Sequence, residues 1–349
     1  MTANSQRGVA LLTILLLVVS ITVVAGAMLA SQKIAIRRSG LLFDQNQLMQ
    51  DMNAGQQLAI TMIRADNKLN DTDSQQDIWA QPIPPYLLAN HSISIELRDE
   101  ASRFNINNLY QNGAVNSASV ATFQRLLTQL NLEPDIATAI LDYQDADSEV
   151  YQDGGDESVV YSQKSSGSAD KTLPNQALVS VDQLQDVRGI SEEVLATLRP
   201  YITAVPYDVP ININTASPVL LAALIDDATS QQMQALVDVR EKQALASIDD
   251  VWQLPIFGSL NDEQKKALTP LLAFDSQAFM ALITATDNGS IGQQRQRFST
   301  VLISKIATDA SEGQGSNPNN SIAKDGTDGK KTKEIKVVTQ RLWAFRPSF

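Results

Sequence analysis

From Asp142 to Glu157, within LDYQDADSEVYQDGGDESVVY, the chain places seven carboxylates and no basic residue. Hard divalent cations such as Ca2+ take roughly six to eight oxygen ligands, and a loop with alternating Asp side chains around a Gly turn can wrap one. Asp145, Asp147 and Glu149 alternate in that way. An EF-hand needs Gly at its sixth position and a bidentate Glu at its twelfth; counted from Asp145 these are Val150 and Asp156, so the stretch is not an EF-hand. Composition alone fits a solvated acidic loop as well as a cation site.

Other chemistry is thinly supplied. The chain has no cysteine, which removes disulfides, thiolate metal sites and a Cys nucleophile. Its one histidine, His91, heads the alternating run HSISIELRD and reads as a surface or packing residue, and multi-histidine zinc chemistry is excluded. No recognisable active site assembles from what is left, so the expectation is a protein that is not an enzyme. A formal charge of −12 argues against a general nucleic-acid binder, which needs clustered Lys and Arg.

The elements that would position the acidic stretch begin with an apolar run. Val9 to Ala30 carry no charge, and 22 residues as a helix span about 33 Å, enough for a bilayer core of roughly 30 Å. A secretory leader has a shorter apolar region of about 7 to 15 residues, so a retained membrane helix is predicted. Lys33, Arg37 and Arg38 follow it and only Arg7 precedes it, which by charge alone favours a cytoplasmic C-terminal side. Leu41, Leu48, Met52, Gly55 and Met62 continue at three- and four-residue steps, predicting one long helix with an amphipathic second half.

Ile93, Ile95 and Leu97 alternate as a half-buried strand. Residues 118–270 read as short helices, with Ser191 capping a helix from Glu192 and Ser217 capping one whose first residue is Pro218. DVRGIS resembles half of a helix-hairpin-helix turn, but Ser191 stands where the DNA-binding form has its second Gly, which favours a packing scaffold. AFMALITATDN, QRFSTVLISKIA and EIKVVTQRLWAF read as edges of one antiparallel sheet, and residues 308–334 as a flexible hairpin loop.

QRGVALLTILLLVV resembles a type IV prepilin leader, ending in Gly8 ahead of the apolar helix. The resemblance implies cleavage between Gly8 and Val9 by prepilin peptidase, methylation of the new amine, and a topology with the N-terminus inside, against the charge rule. Most pilin-like subunits carry Glu at the fifth mature residue; here it is Thr13. That departure, with RDEASRFNINNL, DYQDADSEVYQDGGDESVVY, SVDQLQDVRGIS, LRPYITAVP and ININTASPVLLAAL, resembles the minor pseudopilin K family of type II secretion. The family's usual Trp before the acidic run is Tyr143 here.

The resemblance implies an α+β, type IV pilin-like fold, a long N-terminal helix packed on an antiparallel sheet, with a large inserted all-α domain of SAM or helix-hairpin-helix type. The expected division is leader 1–8, membrane half 9–30, amphipathic helix and first strand 31–117, inserted helical domain 118–270, and C-terminal strands 271–349. Calcium is implied as a structural ion, with Asp145, Asp147, Asp153, Asp156 and Glu157 as chosen ligands. Implied partners are minor pseudopilins I and J, the major pseudopilin, the assembly platform, prepilin peptidase, the inner membrane and secreted proteins, with the body in the periplasm. Leu41 to Met62 are expected to pair with helices of I and J. The alternative is a membrane-tethered DNA-uptake receptor, motivated by DVRGIS and ININTA.

Overall fold

The computed structural model describes residues 3–147, 149–152, 175–288, 294–307 and 333–349. Helix α1 runs unbroken from Ala3 to Leu69, 67 residues or about 100 Å at about 1.5 Å per residue. Leu11 to Phe43 form its bare section, with Leu11, Leu16 and Phe43 among many exposed apolar side chains. The polar side chains Thr13, Ser20 and Thr22 donate back to Ala10 O, Leu16 O and Val18 O at 2.9, 2.8 and 2.8 Å. Such back-bonding satisfies a hydroxyl without water, which an apolar solvent demands.

Beyond Phe43 the helix acquires a buried stripe of Leu48, Met52, Ala59, Ile60 and Ile63. The three- and four-residue spacing therefore marks a true stripe, but Leu41 at its head is exposed and Met62 is only half-buried. After a one-turn 3-10 helix at Ile78–Ala80, β1 (Tyr86–Leu88) and β2 (His91–Asp99) form a hairpin.

The chain then enters a block of small elements. It contains β3 (Phe104–Asn105), β4 (Tyr110–Gln111), β5 (Ala114–Val115), α2 (Ser117–Gln129) and α3 (Ile136–Gln144). Further on come a 3-10 helix at Val181–Asp186, α4 (Glu192–Leu198), β6 (Ile202–Thr203), β7 (Ile211–Asn212) and α5 (Pro218–Ala222). It closes with α6 (Ser230–Arg240), α7 (Ile248–Trp252), α8 (Asp262–Leu268) and β8 (Leu272–Ala273). The caps fall where the sequence puts them: Ser191 accepts from Val194 N and Ser217 from Leu220 N, both at 3.2 Å. Phe104 stacks on Phe123 at 5.0 Å, and Ile106, Leu109, Leu126, Ile140, Leu221 and Phe257 fill the same core.

Three strands follow: β9 (Ala278–Asp287), β10 (Arg295–Ala307) and β11 (Lys333–Trp343). They join the hairpin in one antiparallel sheet of order β1-β2-β9-β10-β11. The sequence had all three late strands as sheet edges; only β11 is one, because β2 pairs with β9 and places β9 and β10 inside. The block thus sits between two neighbouring strands. Lys333 and Glu334, expected in the loop, belong to β11, and residues 308–332 lie outside the described residues.

Alternation splits the sheet into two faces. Ile93, Ile95, Phe279, Ala281, Ile283, Val301 and Ile303 pack beneath α1 with Leu48, Met52 and Ile63. At roughly 1.5–3 kcal/mol per fully buried side chain, this contact holds the lower half of α1 to its own sheet. On the opposite face, Ala278 and Leu302 meet Ala101, Val205 and Val209 from the block.

Candidate functional site

Two family-like asparagine stretches clamp the block. In FNINNL, Asn105 Nδ2 donates to Val205 O and Tyr207 O at 3.1 and 2.8 Å, and Asn107 Nδ2 to Leu178 O and Val205 O at 2.8 Å each. In ININTA, Asn214 exchanges hydrogen bonds with the backbone of Leu245 at 2.9 and 2.8 Å. Each stretch also pairs a two-residue strand in parallel, β3 with β6 and β7 with β8. These amides satisfy buried backbone in a region too irregular to satisfy itself.

Of the five predicted calcium ligands, the structure describes Asp145 and Asp147; Asp153, Asp156 and Glu157 lie outside the described residues. Asp145 ends α3 with its Oδ1 buried and, among the described residues, without a hydrogen-bond partner. Burial, then Asp147 and Asp142, push its carboxyl up to about 6. Asp147 Oδ1 accepts from Glu149 N at 2.9 Å, and Asp142 Oδ1 from Tyr151 N at 3.0 Å. Three carboxylates crowd one helix end, and an orphaned buried oxygen among them suits a hard cation.

A second carboxylate corner was not anticipated. Asp66 at the end of α1, Asp73 and Asp77 bring carboxylate oxygens within 4.8 Å of one another. Lys305 of β10 donates to Asp73, and Asn70 Nδ2 donates to Asp66 and Asp77 at 3.0 Å each. Ser276 N donates to Asp73 at 2.6 Å and Asn212 Nδ2 to the Asp73 carbonyl at 3.0 Å, so helix, sheet and block meet here. Burial, with Asp77 and Asp73, raises Asp66 to about 7. Nearby Asp99, buried and bonded by Thr215 and by Ala101 N at 2.8 Å, is pushed up to about 7, mainly by burial. The sequence did carry a signal: Lys305 continues the Val301, Ile303 alternation and so had to point into the α1 face.

His91, expected as a surface or packing residue, sits with Nδ1 3.3 Å from Asp51 of α1. The DVRGIS turn uses Gly189 at φ +84°, then Ser191, with Glu192 and Glu193 in the first turn of α4. The Ser191 hydroxyl takes the Val194 N–H, and two carboxylates stand in the same first turn, where they would repel a phosphate; this goes against the DNA-uptake alternative.

The expected pairing surface needs correction. Leu48 and Met52 are each 3% exposed and lie in this chain's own core, so they are not free for a partner. A run of bare apolar positions lies higher on α1, at Ile34, Ile36, Leu41, Leu42 and Phe43, whereas lower down the exposed ones are the scattered Met49 and Leu69.

Comparison with known proteins bears on this arrangement. Two profiles described as type II secretion system (T2SS), protein K match residues 102–207 and 211–275, which together hold the block. Type II secretion system protein K of Pseudomonas aeruginosa is 30% identical over 234 residues, 64% of this chain and 69% of that protein. The Klebsiella pneumoniae protein of the same name is 28% identical, over 63% of this chain and 71% of its own length. The fold resembles a chain from the crystal structure of the GspK–GspI–GspJ complex of the enterotoxigenic Escherichia coli type 2 secretion system. That likeness has TM-score 0.67 and 21% identity, covering 88% of this chain and 99% of the other. The two block profiles and the Pseudomonas relative, aligned over more than two thirds of its length, place this chain in the type II secretion system protein K family.

Proposed function

We propose that this chain is the minor pseudopilin that sits with minor pseudopilins I and J at the tip of a periplasmic pseudopilus and supports its assembly for protein export. The observation carrying the reading is the division of α1. Its lower half is absorbed by its own sheet, whereas Ile34 to Phe43, just beyond the apolar run, stay bare. Such a helix presents apolar surface to neighbouring helices and leaves its own body folded. The fold likeness to a chain of a GspK–GspI–GspJ complex supports the choice of partners.

In this reading residues 9–30 cross the inner membrane, the N-terminus is cytoplasmic, and the body is a pilin-like α+β fold carrying the block as an inserted domain. Prepilin peptidase cuts between Gly8 and Val9, both within α1, ahead of the apolar run. Thr13 replaces a Glu that would need a partner in lipid; its hydroxyl is already satisfied by Ala10 O at 2.9 Å. A subunit with nothing above it in the fibre has no use for that charge. Asp145 and Asp147, with Asp153, Asp156 and Glu157, hold a calcium ion whose role is to neutralise the crowded end of α3. The protein works by packing and carries out no reaction.

The test is co-purification from detergent extracts of cells expressing the three minor pseudopilins. Leu42→Asp with Phe43→Asp should keep the thermal midpoint and lose I and J; an intact complex would sink the reading.

A further inference from the structure

Between the second face of the sheet and the block lies a cleft of about 620 Å3. Clefts of this size at the junction of two bodies are the usual place for a ligand. Its accessible apolar wall comprises Val181, Met280 and Trp343, over the buried Ile202 and Leu302. Arg98, Arg103, Arg199 and Arg341 also line it, although the chain as a whole carries a charge of −12.

Two of these guanidiniums are already answered. Arg98 pairs with Glu100 and Arg199 with Asp182, each at 2.7 Å. Among the described residues, the hydrogen bonds of the other two go to carbonyl oxygens: Arg103 donates to Arg199 O at 3.3 Å and Arg341 to Val179 O at 2.9 Å. Burial and then the neighbouring Arg98 hold Arg103 down to about 10, against the opposing pull of Glu100 and Asp99. A guanidinium fork is built for a carboxylate, and both stand ready for one.

The chain's own last residues show which class of molecule the walls accept. Pro347, Ser348 and Phe349 line the cleft, the Phe349 ring lies 4.6 Å below the Arg98 guanidinium, and Ser348 Oγ is 3.5 Å from Arg199 Nη1. Peptide with an aromatic side chain therefore already lies against these walls.

We propose that the cleft binds a peptide segment of a partner protein, with acidic side chains engaging Arg103 and Arg341 and apolar side chains on Val181, Met280 and Trp343. A polyphosphate chain would make no use of the apolar wall. A simple anion would leave the apolar strip unused.

The probe is a fluorescein-labelled peptide alternating Glu with Phe and Val, titrated by anisotropy into the full chain in detergent micelles. Saturable, salt-sensitive binding is expected. It should weaken at least tenfold for the peptide with Gln in place of Glu and for Arg103→Gln plus Arg341→Gln. Phe349→Ala should bind at least as tightly, since it opens the cleft and removes no guanidinium. Should the double variant lose its thermal transition, Arg341→Gln alone, at the sheet edge, carries the same expectation. No binding, equal binding of the Gln peptide, binding unchanged in the Arg variants, or displacement by inorganic phosphate as effective as by unlabelled peptide at equal ionic strength would each overturn the proposal.

Discussion

Gly55 of α1 lies so close to Ile283 of β9 that a Cβ on it would stand 2.6 Å from Ile283 Cγ2 and 3.0 Å from Ile93 Cγ2. Both neighbours are β-branched and buried, so neither can swing aside. Gly55→Ala gains about 1 kcal/mol in helix propensity but overpacks the contact by about 1–3 kcal/mol. A net loss of stability is predicted in urea unfolding of the detergent-solubilised protein. A gain would mean that helix and sheet sit further apart than described.

Lys305 and Asp73 join β10 to the segment after α1, with side chains 2% and 1% exposed. Removing one partner of a buried pair strands the other charge, at a cost of about 3–5 kcal/mol. Lys305→Met should therefore destabilise by that order, and Lys305→Met with Asp73→Asn should recover much of it. A double variant no better than the single would show that the pair is not the coupling.

Asp66 and Asp99, each raised to about 7, bind protons in the folded state that the unfolded chain has released above about pH 4. In that window the native state holds more protons, so their contribution to stability falls as pH rises from about 4 to 7. Asp99→Asn should flatten the decline in thermal midpoint between pH 5 and 8 relative to the parent, measured without divalent ions. A variant with an unchanged slope contradicts the assignment.

Calcium should raise the thermal midpoint, and at a free concentration 100 times the dissociation constant the gain is about 2.7 kcal/mol. Asp145 titrates near 6, so protons compete and the effect should be larger at pH 7.5 than at pH 5.5. Asp145→Ala plus Asp147→Ala should remove it. A calcium shift that survives this substitution would place the ion elsewhere.

What could be read in the sequence was what is local. Ile93 and Ile95 alternate within one strand, and Ser191 and Ser217 cap helices a few residues away, so their signals need no knowledge of the fold. Helix α7, the five residues IDDVW, is too short to show a period, and what marks it is again local, the Ser247 cap. Leu48 and Met52 announced a buried stripe, but periodicity cannot say whether the covering surface belongs to the same chain; here it is strands more than 30 residues away. The Asp73–Lys305 tie spans 232 residues, and only the charge in an apolar alternation hinted at it. Thr13 had meaning only beside the family pattern, since a threonine in an apolar helix is otherwise unremarkable.

The chain has no cysteine, so single cysteines along α1 report its neighbours without background. Cysteines at Leu42, Phe43, Leu48 and Met52 should be cross-linked in membranes that hold the assembled minor pseudopilins. Adducts with I or J are expected from Leu42→Cys and Phe43→Cys and none from Leu48→Cys or Met52→Cys, whose side chains face their own sheet. Adducts from the buried pair, or none from the exposed pair, would contradict this arrangement.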